Sequence, residues 1–459
     1  MFSFRCAPSI VLTVLSSAVI AQGDVPFDLE HIGDPAALKN ALNAVREADK
    51  LAATGGLHYA EAIALYMKAY ALNPDNAELN AKIGLCHLNG GQRHKALSWF
   101  QDALSLSPAM PRIHFLTAMA YQLNAKWDEA IAEYEAHLQR TAGPGDPEPL
   151  YNTADQHIAE CRVGKALMAE PVDVRVENLG PSINSDQADY GVLIAPDGGA
   201  LYFTSRRPSV NGRINKATNA YFEDVYVCRA DENGGWTKPS SLPPPVNSAI
   251  NDAAVSLFDS GRSMVLYRDV NGSGDLFTLR RSREGWGAPE KLGPNIDTKS
   301  HESSAWPTAD GHWLYFVSDR PDAGGQGGQD IYRSPWDPLA NEWGPAEDLG
   351  PTINTPFDED GIFVSPDGGT IYFSSKGHSG MGGFDIYRSQ LINGRWTAPE
   401  NMGWPINSPD DDLFFVLAPD GHTGYFSSLR AGGLGEDDLY RVTFPQDGKT
   451  AETMSAPVR

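Results

Sequence analysis

The first third of the chain carries a pattern of apolar residues that repeats every 34 positions. Small and aromatic residues recur at that spacing within residues 22–170: Ala62, Ala96 and Ala130, then Tyr66, Phe100 and Tyr134. Small residues allow paired helices to approach each other, and aromatic residues fill the space beside them. Pro74 and Pro108 close two of the units, because proline cannot continue a helix. The pattern predicts three helix pairs and a last helix over about residues 149–170 that caps the stack.

Beyond residue 171 the helical period gives way to short strand-like runs bounded by turns, and a second, longer repeat appears. Five units open with a turn related to L-G-P-x-I-N-S, at Leu179, Leu242, Leu292, Leu349 and Met402. In most units an acidic residue, an Asp-Gly turn, a Tyr-Phe pair and a strand that starts with aspartate follow in that order. Four strands per unit, repeated five times, predict a five-bladed β-propeller, since radial repetition leaves no long exposed sheet edge.

The order of the strands also predicts how the ring closes. The fifth unit lacks a fourth strand with tryptophan, whereas residues 172–178 precede the first opening turn. We therefore expect this early segment to complete the last blade.

The recurring third-strand aspartates are predicted to accept backbone N–H bonds from the loop before them. Four recurring tryptophans are predicted to pack between blades: Trp236, Trp286, Trp343 and Trp396.

The helical repeat resembles the tetratricopeptide family. Its middle unit, residues 77–110, has family consensus residues at the expected places: Ile83, Gly84, Ala96, Phe100, Ala103 and Pro108. The predicted fold class is therefore an α+β multidomain chain, in which α-helical tetratricopeptide repeats precede a five-bladed all-β propeller. The predicted organisation is a signal peptide (1–21), helical repeats with a capping helix (22–170), a propeller (171–446) and a disordered tail (447–459).

Residues 1–21 have the pattern of a secretory signal peptide. One positive charge at Arg5 precedes an apolar run over residues 10–20, and the small residues Val19 and Ala21 end the segment. The run is shorter than the roughly 20 residues of a membrane-spanning helix, which disfavours the alternative of a membrane anchor. We expect cleavage after Ala21, a periplasmic or secreted protein, and no transmembrane span in the mature chain.

Charge and composition narrow the classes of function. The 36 basic and 59 acidic residues give a net charge of −23, which argues against a nucleic-acid partner and equally against an anionic membrane surface. Cys86, Cys161 and Cys228 show no metal-binding spacing, so we interpret them as small buried side chains whose disulfide state stays open. Because the chain has no known catalytic motif, the sequence predicts no enzyme, no catalytic residue, no cofactor and no metal ligand.

Two sets of residues are candidates for partner binding. Five acids near the start of each first strand are predicted to ring one mouth of the central channel, where they would attract a cation or a basic group: Asp189, Asp252, Glu302, Glu359 and Asp412. The alternative is that each acid bonds the backbone of the neighbouring blade. The second set would line a helical groove: Ala81, Leu85, Leu88, Phe115, Met119 and Gln122. The alternative is that the chain's own capping helix covers this strip.

The propeller repeats resemble those of TolB-like (WD40-like) periplasmic proteins. The motifs P-D-G-x-x-[LI]-Y-F-S-S and D-I-Y-R-S carry the resemblance, as in residues 366–375 and 385–389. The order of segments is similar to the front part of the outer-membrane-associated, OmpA-type scaffold subunits of type IX secretion systems. The resemblance implies a non-enzymatic periplasmic scaffold or adaptor with protein partners in the cell envelope. A propeller that binds a small ligand, a sugar or a metal is the alternative. Peptidoglycan binding is not expected, because the sequence has no OmpA-like domain.

Overall fold

The structure is a computed structural model, and it describes residues 23–141, 146, 148–209, 212–232, 235–270, 272–321 and 323–445. The predicted signal peptide and the predicted tail lie outside these residues. The chain divides into two compact units. One holds the described residues up to Lys165 together with residues 214–220, and the other holds residues 166–213 and 221 onward. The two units are described separately below.

The first unit consists of helices that follow one another along the chain. Their bounds are α1 (Leu29–Ile32), α2 (Pro35–Thr54), α3 (His58–Tyr70), α4 (Ala77–Asn89), α5 (Ala96–Leu106), α6 (Ile113–Leu123), α7 (Trp127–Arg140) and α8 (Ala154–Ala169). Helices α2 to α7 form the three predicted pairs, and α1 was not predicted. The last helix begins at Ala154 rather than near residue 149, because Pro149–Asn152 forms a separate 3-10 turn.

The repeated small residues allow each helix to approach its partner. Ala62, Ala96 and Ala130 are fully buried. A Cβ atom added at Gly84 of α4 would lie 2.7 Å from the ring of Phe100 in α5, closer than real Cβ contacts allow. Glycine at this position therefore permits the contact between the two helices of the middle repeat.

The strands of the chain build the second unit, except that residues 214–220 belong to the first unit. In chain order they are β1 (Arg175–Asn178), β2 (Asp189–Ile194), β3 (Ala200–Ser205), β4 (Ile214–Asn215), β5 (Ala220–Tyr221), β6 (Asp224–Arg229), β7 (Ser240–Ser241), β8 (Asp252–Phe258), β9 (Ser263–Val270), β10 (Ser273–Ser282), β11 (Gly285–Trp286), β12 (Glu290–Lys291), β13 (Glu302–Pro307), β14 (Trp313–Ser318), β15 (Asp330–Asp337), β16 (Glu342–Trp343), β17 (Glu347–Asp348), β18 (Glu359–Val364), β19 (Thr370–Ser375), β20 (Asp385–Ile392), β21 (Arg395–Trp396), β22 (Glu400–Asn401), β23 (Asp412–Leu417), β24 (Thr423–Ser428) and β25 (Asp438–Thr443). The small hairpin β4–β5, of which β4 and the first residue of β5 belong to the first unit, is an insertion between the second and third strands of the first blade.

Five antiparallel sheets form the blades of a propeller. Their innermost strands are β2, β8, β13, β18 and β23. These strands contact one another in a closed cycle, from β2 through β8, β13 and β18 to β23 and back to β2. The structure thus confirms the predicted fold: tetratricopeptide-like helices followed by a five-bladed β-propeller.

The ring closes as predicted. Strand β1 pairs antiparallel with β25, with Val176 opposite Val442 and Asn178 opposite Tyr440. The last blade therefore has the order β1-β25-β24-β23 and contains strands from both ends of the propeller. Hydrogen bonds of a regular sheet thus fasten the first strand of the ring to the last.

Aromatic contacts join neighbouring blades. Trp286 of the second blade meets Tyr202 of the first edge to face, with ring centres 6.4 Å apart. Trp396 of the fourth blade meets Tyr315 of the third in the same way at 6.1 Å. These two tryptophans confirm the predicted packing between blades, whereas Trp343 meets Trp336 of its own blade at 4.9 Å.

Candidate functional site

The five predicted channel acids lie at the bases of their own opening turns. All five residues are 0% exposed. Each carboxylate accepts a backbone N–H bond from the serine or threonine four residues earlier, namely Ser185, Ser248, Thr298, Thr355 and Ser408. A partner group cannot reach the acids in this arrangement, which corrects the expectation that they ring an accessible mouth. The cause is the hydroxyl residue that caps each turn, because its N–H draws the carboxylate inward.

The backbone of these acids, rather than the carboxylate, makes the bond to the neighbouring blade. The N–H of Asp189 donates to the carbonyl of Asp437 at 2.7 Å, and the N–H of Asp412 donates to that of Phe384 at 2.7 Å. The N–H of Glu359 does the same with Gln329 at 2.8 Å. The alternative interpretation of the acids therefore holds for the inter-blade contact, but through their amides.

Arginine neutralises the buried acid in four of the five blades. Arg207 lies 2.6 Å from Asp189, and Arg430 lies 2.6 Å from Asp412. The remaining pairs are Arg320 with Glu302 at 3.3 Å, and Arg268 with Asp252. The same guanidinium groups also donate to carbonyls of the opening turn, as Arg207 does to Ile183 at 2.7 Å. Each buried charge thus has a counter-ion and several hydrogen bonds, as buried ions require.

The fourth blade departs from this scheme. Ser205 Oγ accepts the N–H of Arg207, but the equivalent Ser375 Oγ accepts the N–H of Gly377 at 3.0 Å. The ring of His378 takes the place of the guanidinium: it packs 5.3 Å from the ring of Tyr387 and hydrogen-bonds the Ile353 carbonyl at 2.8 Å.

Glu359 of the fourth blade consequently has no arginine partner among the residues that the structure describes. Its carboxyl accepts hydrogen bonds from Thr355 Oγ1 and Ser375 Oγ, each at 2.7 Å. Burial raises the pKa of Glu359 to about 8, and the nearby charge of Asp330 also acts in that direction. The carboxyl is therefore largely protonated at neutral pH, which removes the need for a cation in this blade.

The predicted helical groove is filled. Five of its six residues are buried, namely Ala81, Leu85, Leu88, Phe115 and Gln122, and Met119 is half-buried. The ring of Phe115 meets that of Tyr151 at 5.1 Å and that of His157 in α8 at 5.8 Å. Gln122 Nε2 donates to Glu160 of α8 at 2.9 Å. At this end of the strip the chain's own capping segment covers the groove, as the alternative interpretation stated.

Three of the recurring third-strand aspartates, Asp330, Asp385 and Asp438, hold the loops before them, as predicted. Asp330 Oδ2 accepts the N–H groups of Gln326 and Gly327 at 2.9 and 3.3 Å. Asp385 Oδ2 accepts that of Met381 at 2.7 Å. These contacts fix the loop on the side of the blade where the third strand begins.

The three cysteines Cys86, Cys161 and Cys228 are free and buried, which agrees with their interpretation as small core side chains.

The centre of the propeller is largely apolar, with Ser304 as a polar side chain in its lining. Its central cavity is lined by residues of the innermost strands, including Val192, Trp306, Ile362 and Phe414. Phe414 has a φ of 58°, a left-handed conformation that the first and fourth blades achieve with Gly191 and Gly361. Its ring stacks on Tyr190 with centres 5.8 Å apart. The channel at this level is thus occupied by packed side chains rather than lined by polar groups that would hold a charged ligand.

A different set of five acids is exposed, and we call it the hairpin face. It comprises the aspartates of the turns between the first and second strands of the blades: Asp197, Asp259, Asp310, Asp367 and Asp420. Equivalent turns of a propeller lie on one side of the ring, so these carboxylates share one face. Hydrogen bonds from Thr308 and from the His312 N–H lower the pKa of Asp310 to about 2. Sequence reasoning identified these residues only as turn formers, although their fivefold recurrence was the available signal.

One cluster of carboxylates has the spacing of a cation site. Oxygens of Asp275, Asp297 and Glu302 lie within 4.8 Å of one another. Lys291 already lies 2.8 Å from Asp275, and Arg320 lies 3.3 Å from Glu302. Two side-chain cations therefore serve this cluster, and we do not assign it a metal.

Among the comparisons with known proteins, a family model matches part of the helical repeats. A model of the family described as "Anaphase-promoting complex, cyclosome, subunit 3" matches residues 56–137. No curated protein matches the chain. The match thus covers most of the tetratricopeptide-like helices that the structure shows.

Solved structures similar to this chain cover a little more than half of its length. A putative TolB from Agrobacterium tumefaciens is 17% identical, with 59% of this chain and 98% of that chain covered and a TM-score of 0.36. A putative oxidoreductase (glucose dehydrogenase) from Thermus thermophilus is 16% identical, with 59% and 99% covered and a TM-score of 0.34. A β-1,2-mannobiose phosphorylase from Listeria innocua is 8% identical, with 59% and 96% covered and a TM-score of 0.38. Because these scores are low, the assignment of the fold depends on the helix pairs and the closed ring of sheets.

Proposed function

We propose that this protein is a non-enzymatic scaffold or adaptor that holds protein partners on its propeller. The observation that carries the proposal is the way in which the recurrent polar groups are used. The first-strand acids are buried and bonded inside the blades, whereas the hairpin-face aspartates are exposed. Helical repeats and propellers commonly present extended binding surfaces, and the fold alone does not imply catalysis.

The charge of the hairpin face indicates the chemistry of the partner. Asp310 and Asp367 both have a lowered pKa, Asp367 because the Ser365 hydroxyl and the Gly369 N–H donate to it. These carboxylates stay ionised over the whole physiological range. Several exposed negative charges on one face attract a basic segment and accelerate its association. We therefore propose a partner with a lysine- or arginine-rich surface.

An affinity-capture experiment from envelope extract tests this function. The hairpin variant carries asparagine at Asp197, Asp310, Asp367 and Asp420, which keeps the turns because asparagine also favours them. A control variant with the same change in charge carries glutamine at four exposed acids on the outer strands and loops of the blades: Glu232, Glu284, Glu290 and Glu342. We expect the wild type and the control to capture the same protein and the hairpin variant to bind it about tenfold more weakly.

Two results would contradict the proposal. Equal binding by the wild type, the control and the hairpin variant would show that the hairpin face does not take part in the interaction. A failure to capture any protein, together with a rise in melting temperature on addition of a sugar or Ca²⁺, would favour the alternative of a propeller that binds a small ligand. The residues that line the described central cavity are mostly apolar, which disfavours a sugar or a charged ligand in that cavity.

We also propose that the protein works in the periplasm, in an envelope or secretion assembly. The predicted signal peptide and the resemblance to secretion-system scaffold subunits support this location. Among the described residues, no helix is long and apolar enough to cross a bilayer. Cell fractionation with sequencing of the amino terminus tests the location. We expect a periplasmic protein that begins at Gln22, and an uncleaved protein in the membrane fraction would contradict the proposal.

A further inference from the structure

The turn that leads into each blade carries a residue that locks it to the blade before. In four blades this residue is a buried or nearly buried asparagine, namely Asn184, Asn247, Asn354 and Asn407. Its amide oxygen accepts the N–H of a third-strand residue in the preceding blade, and its amide nitrogen donates to the carbonyl of the same residue. The two distances are 2.7 and 3.0 Å for Asn247, 2.9 and 2.9 Å for Asn354, 2.8 and 2.9 Å for Asn407, and 3.0 and 3.1 Å for Asn184.

The joint between the second and third blades has an aspartate in this place. Asp297 Oδ1 accepts the N–H of Leu276 at 2.8 Å, which reproduces half of the lock. Its Oδ2 accepts the N–H of Gly293 at 3.2 Å. An ionised carboxylate has no hydrogen to give to the Leu276 carbonyl, whereas a protonated carboxyl has one. Only the protonated form can therefore reproduce both hydrogen bonds of asparagine.

The charges around Asp297 favour bound protons. Asp275 of β10 and Glu302 of β13 are the carboxylates that face it, with oxygens within 4.8 Å. The cations that face the cluster are Lys291 of β12, on Asp275, and Arg320, on Glu302. With all three carboxyl groups ionised, the two cations leave one negative charge on the cluster, which favours bound protons.

Asp297 binds a proton, and so does Glu302, the pKa of which burial raises to about 7. Glu302 already receives hydrogen bonds from Ser318 at 2.8 Å and from Thr298 Oγ1 at 2.9 Å, besides the arginine. Burial, reinforced by the charge of Asp275, raises the pKa of Asp297 to about 6. A carboxyl with this pKa changes its charge within the range that cells and their surroundings span.

We propose that Asp297 is a proton-binding site that makes the joint between the second and third blades sensitive to pH. When it is protonated, Asp297 closes the joint with the two hydrogen bonds that asparagine makes at the other four. When it is ionised, it withdraws the bond to Leu276 and places a third negative charge beside Asp275 and Glu302. This pH sensitivity is independent of the proposed scaffold function. It would weaken the ring at the joint between the second and third blades.

Thermal unfolding of the full chain between pH 5 and pH 8 tests the proposal. The stability that a raised carboxyl pKa supplies is present at low pH and is lost as the pH rises through the folded pKa. The unfolded aspartate has a pKa of about 3.9, so part of this stability is already lost at pH 5. The margin by which the variant Asp297→Asn melts above the wild type should therefore grow by about 5 °C between pH 5 and pH 8. Parallel pH profiles for the two proteins would overturn the proposal.

A reciprocal variant serves as the matched control. Asn247→Asp places a carboxyl in the joint between the first and second blades, on the backbone of Val225, which follows Asp224 in the chain. It should acquire a new loss of melting temperature between pH 5 and pH 8 that Asp297→Asn lacks. If Asn247→Asp melts with the pH profile of the wild type, a carboxyl in such a joint has no effect and the proposal is wrong.

Hydrogen exchange of the unmodified chain gives a test that needs no variant. Amide protection around Leu276 and Asp297, corrected for the intrinsic pH dependence of exchange, should fall between pH 5 and pH 8. Protection around Val225 and Asn247 should stay constant and provides the internal reference. Equal behaviour of the two joints would contradict a proton-binding role for Asp297.

Discussion

At the scale of single residues, the stability of the propeller depends on ion pairs that are buried rather than exposed to solvent. The carboxylate of Asp412 is fully buried, and its partner Arg430 also donates to the Pro405 carbonyl at 2.7 Å. Removal of one member of such a pair leaves a charge in a medium that solvates it poorly. These arginines are therefore structural residues, and the lack of one beside Glu359 in the described part of the chain is tolerated because that carboxyl is largely neutral.

We predict that Arg430→Met lowers the free energy of unfolding of the propeller by about 3–5 kcal/mol, because it strands the charge of Asp412. The control is Arg333→Met, which breaks the half-exposed pair with Glu347 and should cost less than about 1 kcal/mol. Urea unfolding followed by tryptophan fluorescence measures both values. Similar losses for the two variants would show that the buried pair contributes no more to the free energy of unfolding than the half-exposed pair.

At the scale of elements, strand β1 decides whether the ring closes. It supplies the outer strand of the last blade, and Asn178 Nδ2 donates to Asp438 of β25 at 2.8 Å. Without β1, the backbone groups of β25 on that side would form an open edge. Because β1 completes the last blade, the fifth unit forms a four-stranded sheet without a fourth strand of its own.

Two truncated propellers test the role of β1. Residues 171–446 retain the strand, and residues 179–446 lack it. We expect the shorter protein to lose more than about 3 kcal/mol of stability or to aggregate through its open edge, while the longer one stays monomeric. Denaturant titration and size-exclusion chromatography distinguish the two. Equal stability would mean that the other blades close the ring without β1.

At the scale of the whole molecule, the buried carboxyls make the propeller sensitive to alkali. Burial raises the pKa of Glu302 to about 7 and that of Glu359 to about 8. Folding therefore binds protons that the unfolded chain releases, and the stability that they contribute declines as the pH passes through these values. The net charge of −23 adds self-repulsion to this effect.

We predict that the free energy of unfolding of the propeller falls by about 2 kcal/mol between pH 6.5 and pH 9. Glu359→Gln should remove a large part of this decline, since glutamine does not titrate and keeps a donor. Urea unfolding at several pH values measures the slope. A wild-type profile that is flat across this range would contradict the raised pKa values.

The sequence predicts the architecture well, because each blade repeats its turn and strand motifs and each helix pair repeats its small residues. It misplaces the five acids, because their burial depends on bonds to two partners, and the repeat pattern alone does not show these bonds. One is the hydroxyl residue four positions earlier, and the other is an arginine 18 positions later, as for Asp189 with Arg207. That second spacing also links Glu302 to Arg320, so a search for it would have indicated ion pairs instead of a charged mouth.

The closure of the ring by β1 sets an order of events during synthesis. The partners Asn178 and Asp438 are 260 residues apart, so β1 leaves the ribosome long before its neighbour exists. The helical repeats make mostly local contacts and can fold in that interval, whereas the propeller needs a contact of very long range. Strand β1 must therefore wait, attached to a folded helical unit, until the last blade has been translated. The final step of folding is thus the pairing of β1, the first strand of the ring to be synthesised, with β25, the last one.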